Sequence, residues 1–306
     1  MSVATVPRSL RDAVGDIDGM QIFGWDLDEP PEQQEAIEVV VVPAWNAPWI
    51  TRLAELPRLR ALQLGSAGHE HALRFLPPGV DLANAVGVHD TATAELALAL
   101  ILASQRDIPE FVRSQAAGQW PTPRSRRSLA DRTALIFGYG GIGKAVAARL
   151  KACEVDVLAV ASKPRPGDEW VDQVYAAADL PWLLPKTDIV VVTAPLNPAT
   201  RGMFDADSLA FLPDDALVVN VGRGPVVDTA ALIAECSTGR LRAALDVTDP
   251  EPLPPEHPLW TTPGVLISPH TGGNSDAFEP RMARFVRSQL VAHADTGWLP
   301  HVVATG

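Results

Sequence analysis

The stretch ALIFGYGGIG occupies residues 134–143 and sets a short apolar run directly before a cluster of glycines. The run at 134–137 predicts a buried strand, and apolar residues at helical spacing over 142–152 predict a helix. Between them, Gly138 permits a tight turn, Gly140 lets the backbone approach a pyrophosphate, and Gly143 allows helix and strand to pack closely. The amino terminus of such a helix attracts phosphate. In this context we favour a dinucleotide-binding turn over an ordinary glycine-rich turn.

The same alternation of apolar runs and helical segments continues on the carboxyl side of this stretch. Residues 142–152, 205–212 and 229–236 have apolar residues at helical spacing, and Gly239 follows the last of these segments. Apolar strands separated by helices are typical of a doubly wound parallel sheet. The six predicted strands lie at residues 134–137, 155–161, 189–193, 216–221, 241–247 and 265–268.

The first hundred residues predict a second, smaller α/β unit. Strand-like runs lie at residues 21–25, 39–42 and 61–64, with helices between them. A long apolar helix at about 91–104 joins this unit to the larger one. The proline-rich stretch 249–258 is predicted to be a rigid loop, because it lies between two core strands.

Composition limits the function. The chain has 306 residues, enough for two domains, with 47% hydrophobic and 20% charged residues and a net charge of −12. An acidic surface repels phosphate backbones, so we expect neither nucleic acid nor a membrane as a partner. The longest apolar run, 96–103, is far short of a bilayer span, and residues 1–10 lack the blocks of a signal peptide. Only Cys153 and Cys236 are present, so we expect a cytoplasmic protein without disulfides. We predict no metal site.

The end of the second strand after the glycines indicates which dinucleotide binds. An NAD site has a carboxylate there for the ribose 2′-hydroxyl, but this chain has Ala161. Lys163 and Arg165 offer cations to a 2′-phosphate, and Ser162 offers a hydroxyl. We therefore predict NADP as the favoured cofactor and NAD as the alternative. The competing interpretation is that Lys163 and Arg165 are solvated loop charges.

Three residues with complementary chemistry follow the later strands. Arg223, Glu251 and His270 come after the fourth, fifth and sixth strands, whose carboxyl ends share the edge of the glycine turn. An arginine holds a carboxylate in two parallel bonds and polarises the adjacent carbonyl. A protonated histidine delivers a proton to the oxygen as hydride reaches the carbon, and a glutamate orients its ring. Each residue alone could be a loop charge, but their joint placement predicts reduction of a 2-oxo acid.

Several ordered motifs resemble the D-isomer-specific 2-hydroxyacid dehydrogenase family, which includes glyoxylate and hydroxypyruvate reductases and phosphoglycerate dehydrogenases. They are FGYGGIG at 137–143, NVGRGPVVD at 220–228, ALDVTDPEP at 244–252, PLW at 258–260 and SPH at 268–270. The resemblance implies that Arg223 binds the substrate carboxylate and carbonyl, that His270 is the acid/base and that Glu251 is its partner. Thr248 and Asp249 depart from the commoner residues before the glutamate. That change leaves the three candidate catalytic residues intact but could alter the loop.

The resemblance also implies further binding residues. It places Asp246 near the nicotinamide amide, and it places Ser66, Ala67 and Gly68 in a loop whose N–H groups receive the substrate carboxylate. The predicted cofactor-binding residues are Gly138, Tyr139, Gly140, Gly141, Ile142, Gly143, Ser162, Lys163, Arg165, Thr193, Pro195, Thr200, Val221, Gly222, Asp246 and Gly272.

The family's architecture implies two Rossmann-like or flavodoxin-like α/β domains, each with a doubly wound parallel sheet, and a cleft between them. In that architecture residues 1–98 and 276–306 form the substrate domain, with the segment 277–290 rejoining the first unit. Residues 99–275 form the dinucleotide domain, including a dimerisation arm at about 99–127. Gln119 and Trp120 in the arm resemble a segment that pairs with a second subunit, so we expect a homodimer.

Other functions and the substrate stay open. An L-specific dehydrogenase of the same fold is disfavoured, because its arginine, acid and base would occur in another order. A dinucleotide-sensing binding protein or corepressor with little turnover is the main alternative. The sequence does not disclose which 2-oxo acid is used, since pocket size depends on side chains from 45–50 and 67–71. Phosphoglycerate is less favoured, because no basic cluster accompanies the loop at 66–68.

Overall fold

The protein was studied as a computed structural model that describes residues 1–43 and 47–306. Contacts divide the chain into two compact units. Unit 1 comprises Met1–His89 and Asn274–Gly306, and unit 2 comprises Asp90–Gly273. We predicted residue 98 as the first boundary. The structure instead assigns the whole of the long apolar helix, from Asp90, to unit 2.

The strands of the described residues are short and mostly buried. In chain order they are β1 (Ser2–Val6), β2 (Met20–Gly24), β3 (Val39–Val41), β4 (Ala61–Gln63), β5 (Asp81–Ala83), β6 (Thr133–Phe137), β7 (Asp156–Val160), β8 (Arg165–Pro166), β9 (Gln173–Tyr175), β10 (Ile189–Val192), β11 (Leu217–Asn220), β12 (Arg242–Leu245), β13 (Val265–Ile267) and β14 (Val302–Thr305).

The helices alternate with these strands. They are α1 (Arg8–Val14), α2 (Asp90–Gln105), α3 (Ile108–Ala116), α4 (Gly141–Lys151), α5 (Leu180–Leu183), α6 (Ala206–Ala210), α7 (Thr229–Ser237) and α8 (Phe278–Thr296). Short 3-10 turns lie at Ile50–Glu55, Leu73–Phe75, Ala177–Asp179, Leu184–Lys186, Gly224–Val226 and Pro258–Trp260. In the part of the chain that the structure describes, no helix combines the length and apolarity needed to cross a membrane.

The sheet of unit 1 has the order β14-β5-β4-β3-β1-β2 among the described residues. Neighbouring strands are parallel except β14, which pairs antiparallel with β5. One face packs against α1 and α8 through residues such as Leu10, Val286 and Leu290. The other face packs against the connecting segments through residues such as Trp25, Leu27 and Leu53, so the central strands are buried on both sides.

The sheet of unit 2 has the order β13-β12-β11-β10-β6-β7-β9-β8 in the described chain. All pairs are parallel except β8 with β9. The chain runs outward from β6 through β7 to β9 and then returns to β10 on the other side of β6. The edge between β6 and β10 is therefore a topological switch point, where open α/β sheets bind ligands.

The core of unit 2 explains why most of its strands can be predicted from the sequence pattern. Ile136, Val191 and Val219 face one layer, which contains α2 and α4. Leu135, Val190 and Val218 face the other layer, which contains α5, α6 and α7. Because helices cover both faces, consecutive positions along these strands are apolar rather than every second one, apart from Thr133 and Asn220 at strand ends.

The predicted fold class, an α/β protein with two parallel sheets, is confirmed. Some strands were not predicted. The strand β1 precedes the segment that we interpreted as the first strand, and β5, β8, β9 and β14 were also absent from the prediction. These are very short or edge strands whose existence depends on the neighbour they pair with, so their local pattern is weak.

Candidate active site

The turn between β6 and α4 requires glycine at two positions. Gly138 has φ +109°, and a Cβ there would lie 2.4 Å from the backbone nitrogen of Ala194. A Cβ on Gly143 would lie 2.2 Å from the Gly138 carbonyl oxygen. At Gly140, by contrast, no described atom lies within 4 Å of such a Cβ. Protein atoms therefore pack closely against the turn at Gly138 and Gly143, whereas the space beside Gly140 is open. A pyrophosphate bound at the start of α4 needs open space at that position.

Asp90 also approaches this turn, although the sequence offered no reason to expect it. A Cβ on Gly141 would lie 2.0 Å from a carboxylate oxygen of Asp90, at the first residue of α2. A side chain at position 141 would therefore have to displace the Asp90 carboxylate. Ile142 follows it in the first turn of α4, partly buried against the same core layer.

A cavity of about 350 Å³ lies beside the glycine turn at the carboxyl ends of β6, β7 and β10. Many residues predicted to bind the cofactor line it, namely Gly138, Tyr139, Gly140, Ser162, Arg165, Thr193, Pro195 and Thr200. Thr193 donates its hydroxyl to the Gly138 carbonyl at 2.5 Å, and Thr200 donates to the Pro195 carbonyl at 2.7 Å. These two hydroxyls therefore stabilise the walls of the cavity. Lys163, also predicted, is exposed and does not line it.

Arg165 is attached to the glycine turn rather than free in a loop. Its guanidinium donates to the Tyr139 carbonyl at 2.7 Å and to the Lys163 carbonyl at 3.3 Å. The Tyr139 hydroxyl donates to Asp168 at 2.8 Å, and Lys144 pairs with the other oxygen of Asp168 at 2.9 Å. The segment after β7 is thus fastened to the first turn of α4.

The charge state of this cluster follows from these contacts. Burial raises the pKa of the Asp168 carboxyl, but the hydrogen bonds from Lys144 and Tyr139 outweigh it and bring the pKa to about 2. Burial and the bond to Asp168 raise the pKa of the Tyr139 phenol. Asp168 is therefore ionised and Tyr139 neutral near pH 7. Neither Asp168 nor Lys144 was predicted as a site residue, because their partners are distant in the chain.

Arg223 lies between Gly222 and Gly224, and the backbone of other loops approaches both glycines too closely for a side chain there. A Cβ on Gly222 would lie 2.9 Å from the Ala194 carbonyl oxygen, and one on Gly224 would lie 2.0 Å from that of Thr248. Asn220, the last residue of β11, accepts from the Gly222 N–H and donates to the Arg223 carbonyl, both at 3.0 Å. Val221 is buried beside it. Arg223 is thus presented from a clamped turn, partly buried, at the carboxyl end of β11.

His270 and Glu251 are hydrogen-bonded to each other through the histidine Nδ1 and a glutamate Oε1. Glu251 lies in the loop after β12, and His270 lies just after β13. Both side chains remain partly open to solvent. Since Nδ1 faces the carboxylate, Nε2 is the ring nitrogen available for proton transfer.

Asp246 holds the segment that carries His270. It is only 3% exposed, and its carboxylate accepts from the Ser268 hydroxyl at 2.6 Å and from the N–H groups of Thr271 at 2.9 Å and Gly272 at 2.8 Å. The His270 N–H donates to the Asp246 carbonyl at 2.8 Å, and His270 has φ +49°. Left-handed backbone at a histidine costs free energy, and these four hydrogen bonds oppose that cost.

The loop at Ser66–Gly68 lies in unit 1, and Leu64 and Gly65 separate it from β4. All three carbonyl oxygens of the loop accept hydrogen bonds. The Ala85 N–H donates to the Ser66 carbonyl at 2.9 Å, and the Asn84 side-chain amide donates to the Ala67 carbonyl at 2.7 Å. The Ser66 hydroxyl donates to the Gly68 carbonyl at 2.6 Å. Among the described residues, no acceptor pairs with the N–H groups of Ser66, Ala67 and Gly68. The loop is therefore built to offer donors. Of the stretch 45–50, which we expected to shape the pocket, Trp45 and Asn46 lie outside the described residues.

In unit 2, the candidate residues lie at the carboxyl ends of adjacent strands. Gly138, Thr193, Arg223, Asp246 and His270 follow β6, β10, β11, β12 and β13, which are consecutive in the sheet. Among the described residues, no group of three or more His, Cys, Asp or Glu side chains could hold a metal ion. The edge thus combines a turn shaped for a pyrophosphate with an arginine and a histidine–carboxylate pair.

This fold and this edge define a two-domain, dinucleotide-binding oxidoreductase of the Rossmann type. The chain belongs to the D-isomer specific 2-hydroxyacid dehydrogenase family, because residues 98–272 match the family model described as "D-isomer specific 2-hydroxyacid dehydrogenase, NAD binding domain". The predicted family and the prediction of an NAD(P)-dependent 2-hydroxyacid dehydrogenase are therefore confirmed.

Relatives match over nearly the whole chain. A glyoxylate reductase/hydroxypyruvate reductase of Mus musculus is 30% identical over 305 residues, covering 94% of this chain and 92% of the mouse protein. A D-isomer specific 2-hydroxyacid dehydrogenase from Xanthobacter autotrophicus Py2, solved in complex with NADPH and MES, matches with a TM-score of 0.82, 30% identity and coverage of 99% and 98%. An NADPH-dependent glyoxylate/hydroxypyruvate reductase from Sinorhizobium meliloti, solved in complex with NADP and sulfate, matches with a TM-score of 0.81, 29% identity and coverage of 99% and 98%.

Proposed function

We propose that the protein reduces a small 2-oxo acid to its D-2-hydroxy acid with His270 as the proton donor. The observation that carries this proposal is the hydrogen bond between His270 and Glu251 at the sheet edge that also presents the glycine turn and Arg223. A reduced nicotinamide dinucleotide supplies the hydride when it is bound. The substrate classes named for the relatives make glyoxylate and hydroxypyruvate the first compounds to test.

In this reaction the candidate residues orient the substrate and transfer the proton. Glu251 holds the Nδ1 side of the ring, stabilises the imidazolium and leaves Nε2 to deliver the proton to the carbonyl oxygen. Arg223 binds the carboxylate and carbonyl of the substrate and stabilises the charge that grows on that oxygen. The N–H groups of Ser66–Gly68 bind the substrate carboxylate. The proton lost by His270 is regained from solvent after the hydroxy acid leaves.

Replacing His270 tests the catalytic assignment. His270→Ala is expected to abolish turnover while binding of reduced dinucleotide, measured by its fluorescence, stays close to wild type. Glu251→Gln keeps a hydrogen-bonding side chain but loses the charge, so kcat should fall strongly. Glu256→Gln, an exposed acid in the same loop, is the matched control and should leave kcat unchanged. Comparable turnover in His270→Ala would reject the mechanism.

We propose NADP(H) rather than NAD(H) as the preferred cofactor. Arg165 uses two of its N–H groups on backbone carbonyls, and a guanidinium has five, so donors remain for a 2′-phosphate. Ser162 and Arg165 both line the cavity beside the glycine turn, and Ala161 supplies no competing carboxylate. Two related structures contain NADPH or NADP. Exposed Lys163 would add only long-range attraction.

Cofactor preference is measured directly. The Michaelis constant for NADPH should be well below that for NADH. Arg165→Ala should raise the Michaelis constant for NADPH and leave that for NADH unchanged. Ala161→Asp should shift preference toward NADH by repelling the 2′-phosphate and accepting from a 2′-hydroxyl. Lys151→Ala removes an exposed cation from the end of α4 and serves as the control. A wild-type preference for NADH would contradict the proposal.

A second copy of the chain is the proposed partner. The arm formed by α3 and the segment after it exposes Ile108, Phe111, Val112 and Trp120, the last at 93%. Contiguous exposed apolar side chains mark interaction surfaces. A Val112→Asp, Trp120→Ala variant should sediment as a smaller species than wild type. Identical sedimentation of the two would argue against a dimer through the arm.

The proposed compartment is the cytoplasm. Cys153 and Cys236 both carry free thiols, and Cys236 is buried. Burial raises the pKa of the Cys236 thiol to about 12, which keeps it unreactive. Free thiols are typical of proteins in reducing compartments.

The main alternative is a dinucleotide-sensing binding protein with little turnover. Both functions predict dinucleotide binding, so binding alone does not separate them. A panel of glyoxylate, hydroxypyruvate, pyruvate and bulkier 2-oxo acids, assayed by loss of nicotinamide absorbance, does. Tight dinucleotide binding without turnover of any compound would favour the alternative.

A further inference from the structure

His89 makes a specific contact with the start of the Ser66–Gly68 loop. Its Nε2 lies 2.8 Å from the carbonyl oxygen of Gly65, the residue directly before the loop. A carbonyl oxygen can only accept, so Nε2 carries the proton. The Nδ1 atom is buried and has no partner among the described residues. Among the described residues, the His89 side chain therefore makes a single hydrogen bond, from Nε2 to the Gly65 carbonyl.

The imidazole ring also makes a stacking contact. It stacks on Phe278 with ring centroids 5.1 Å apart and planes 11° apart. Phe278 is the first residue of α8, and His89 is the last residue of the first stretch of unit 1. Gly65 packs against the same helix, because a Cβ there would lie 3.9 Å from Phe278 and 4.0 Å from Met282. His89 therefore joins the loop to α8 at the points where the chain leaves and re-enters unit 1.

These contacts complete the anchoring of the loop. The carbonyls of Ser66, Ala67 and Gly68 are bound by Ala85, Asn84 and the Ser66 hydroxyl, and the carbonyl of Gly65 is bound by His89. A peptide whose carbonyl is fixed has its plane fixed, and the direction of the next N–H is fixed with it. The Gly65 carbonyl belongs to the same peptide plane as the Ser66 N–H, so His89 sets the direction of that donor.

We propose that His89 is a positioning residue for substrate binding, which orients the first donor of the carboxylate-binding loop. The inference rests on the proposed function, because it takes the loop at Ser66–Gly68 to receive the substrate carboxylate. His89 itself does not touch the substrate. Replacing His89 should lower the affinity for the substrate carboxylate and leave proton transfer by the His270–Glu251 pair unchanged.

The decisive variant is His89→Phe, which keeps an aromatic ring against Phe278 and removes the donor to Gly65. The KM for the 2-oxo acid should rise about tenfold, equivalent to about 1.4 kcal/mol, with kcat within a factor of three and NADPH affinity unchanged. His89→Gln places an amide N–H near the Nε2 position and should recover most of the lost affinity. His301→Phe is the matched control, because His301 also stacks on a phenylalanine of α8, Phe285, without bonding to the loop.

Binding of oxamate to the NADPH complex, measured by fluorescence, gives a readout independent of turnover. His89→Phe should bind oxamate about tenfold more weakly than wild type and than His301→Phe. Equal oxamate affinity and equal KM in His89→Phe and wild type would overturn the inference while leaving the proposed function intact. If wild type turns over no 2-oxo acid, the proposed function fails, and the oxamate comparison alone decides the role of His89. Wild type that neither turns over any 2-oxo acid nor binds oxamate would overturn both.

Discussion

Replacing Asp246 by asparagine tests whether this buried carboxylate anchors the segment that carries His270. One carboxylate oxygen accepts from Ser268 and Thr271, and the other accepts from Gly272. Asparagine has a single acceptor oxygen, so in either amide orientation its NH₂ group faces at least one backbone donor. The lost charge-assisted bond and the unsatisfied N–H together cost about 2–4 kcal/mol.

This free energy translates into two measurements. For a domain of this size, about 2–4 °C are lost per kcal/mol, so the midpoint of unfolding of Asp246→Asn should fall by roughly 4–16 °C. A misplacement of His270 by about 1 Å should lower kcat on the order of a hundredfold. Ser268→Ala is the graded control. It removes only the 2.6 Å bond, should cost about 1–2 kcal/mol and retains both backbone anchors.

The outcome separates two roles for Asp246. If it anchors the His270 segment, thermal stability and kcat fall together while NADPH affinity changes little. If instead it contacts the nicotinamide amide, as the family resemblance implied, NADPH affinity should fall most. An Asp246→Asn protein with wild-type unfolding midpoint and wild-type kcat would refute the anchoring argument.

Three further expectations follow from the structure. Gly138→Ala should destabilise unit 2 and abolish dinucleotide binding, because the added Cβ would clash with the backbone of Ala194. Gly140→Ala should fold normally and weaken only dinucleotide binding, because no described atom lies near its Cβ. Thermal unfolding and NADPH titration measure the two effects. Asp205→Ala should cost about 0.5–2 kcal/mol in urea unfolding, because its carboxylate caps α6 through the Ser208 N–H. Burial lowers the pKa of His293 from 6.5, so the unfolded chain takes up the proton first and folding stability falls as pH drops below about 6.5. His293→Gln should flatten that acid-side decline in urea midpoints, and an unchanged decline would exclude His293 as its source.

The central strands of unit 2 were predictable because each of them is a largely continuous apolar run covered on both faces. The predicted runs at 189–193 and 216–221 correspond to β10 and β11, with differences of one residue at the ends. Short strands such as β5 and β8 were missed. Their residues extend only because a neighbouring strand supplies the hydrogen bonds, and a local pattern holds no information about that neighbour.

The candidate site residues were predicted from the same strands. Arg223, Glu251 and His270 could be named because each follows a readable strand, and parallel strands bring their carboxyl ends to one edge. Lys144 and Asp168 could not be named. Asp168 contacts both Tyr139 and Lys144, and these contacts form only when the segment after β7 folds back onto α4.

By itself the sequence determined the class of fold, the position of the glycine turn and the order of the candidate catalytic residues, because these depend on neighbours within a few residues. Only the tertiary structure decided that Asp246 holds the His270 segment and that His89 connects Gly65, directly before the loop at Ser66–Gly68, to α8. Those contacts join residues that lie far apart in the chain, and their partners are selected by packing and by the need of buried polar groups for hydrogen bonds.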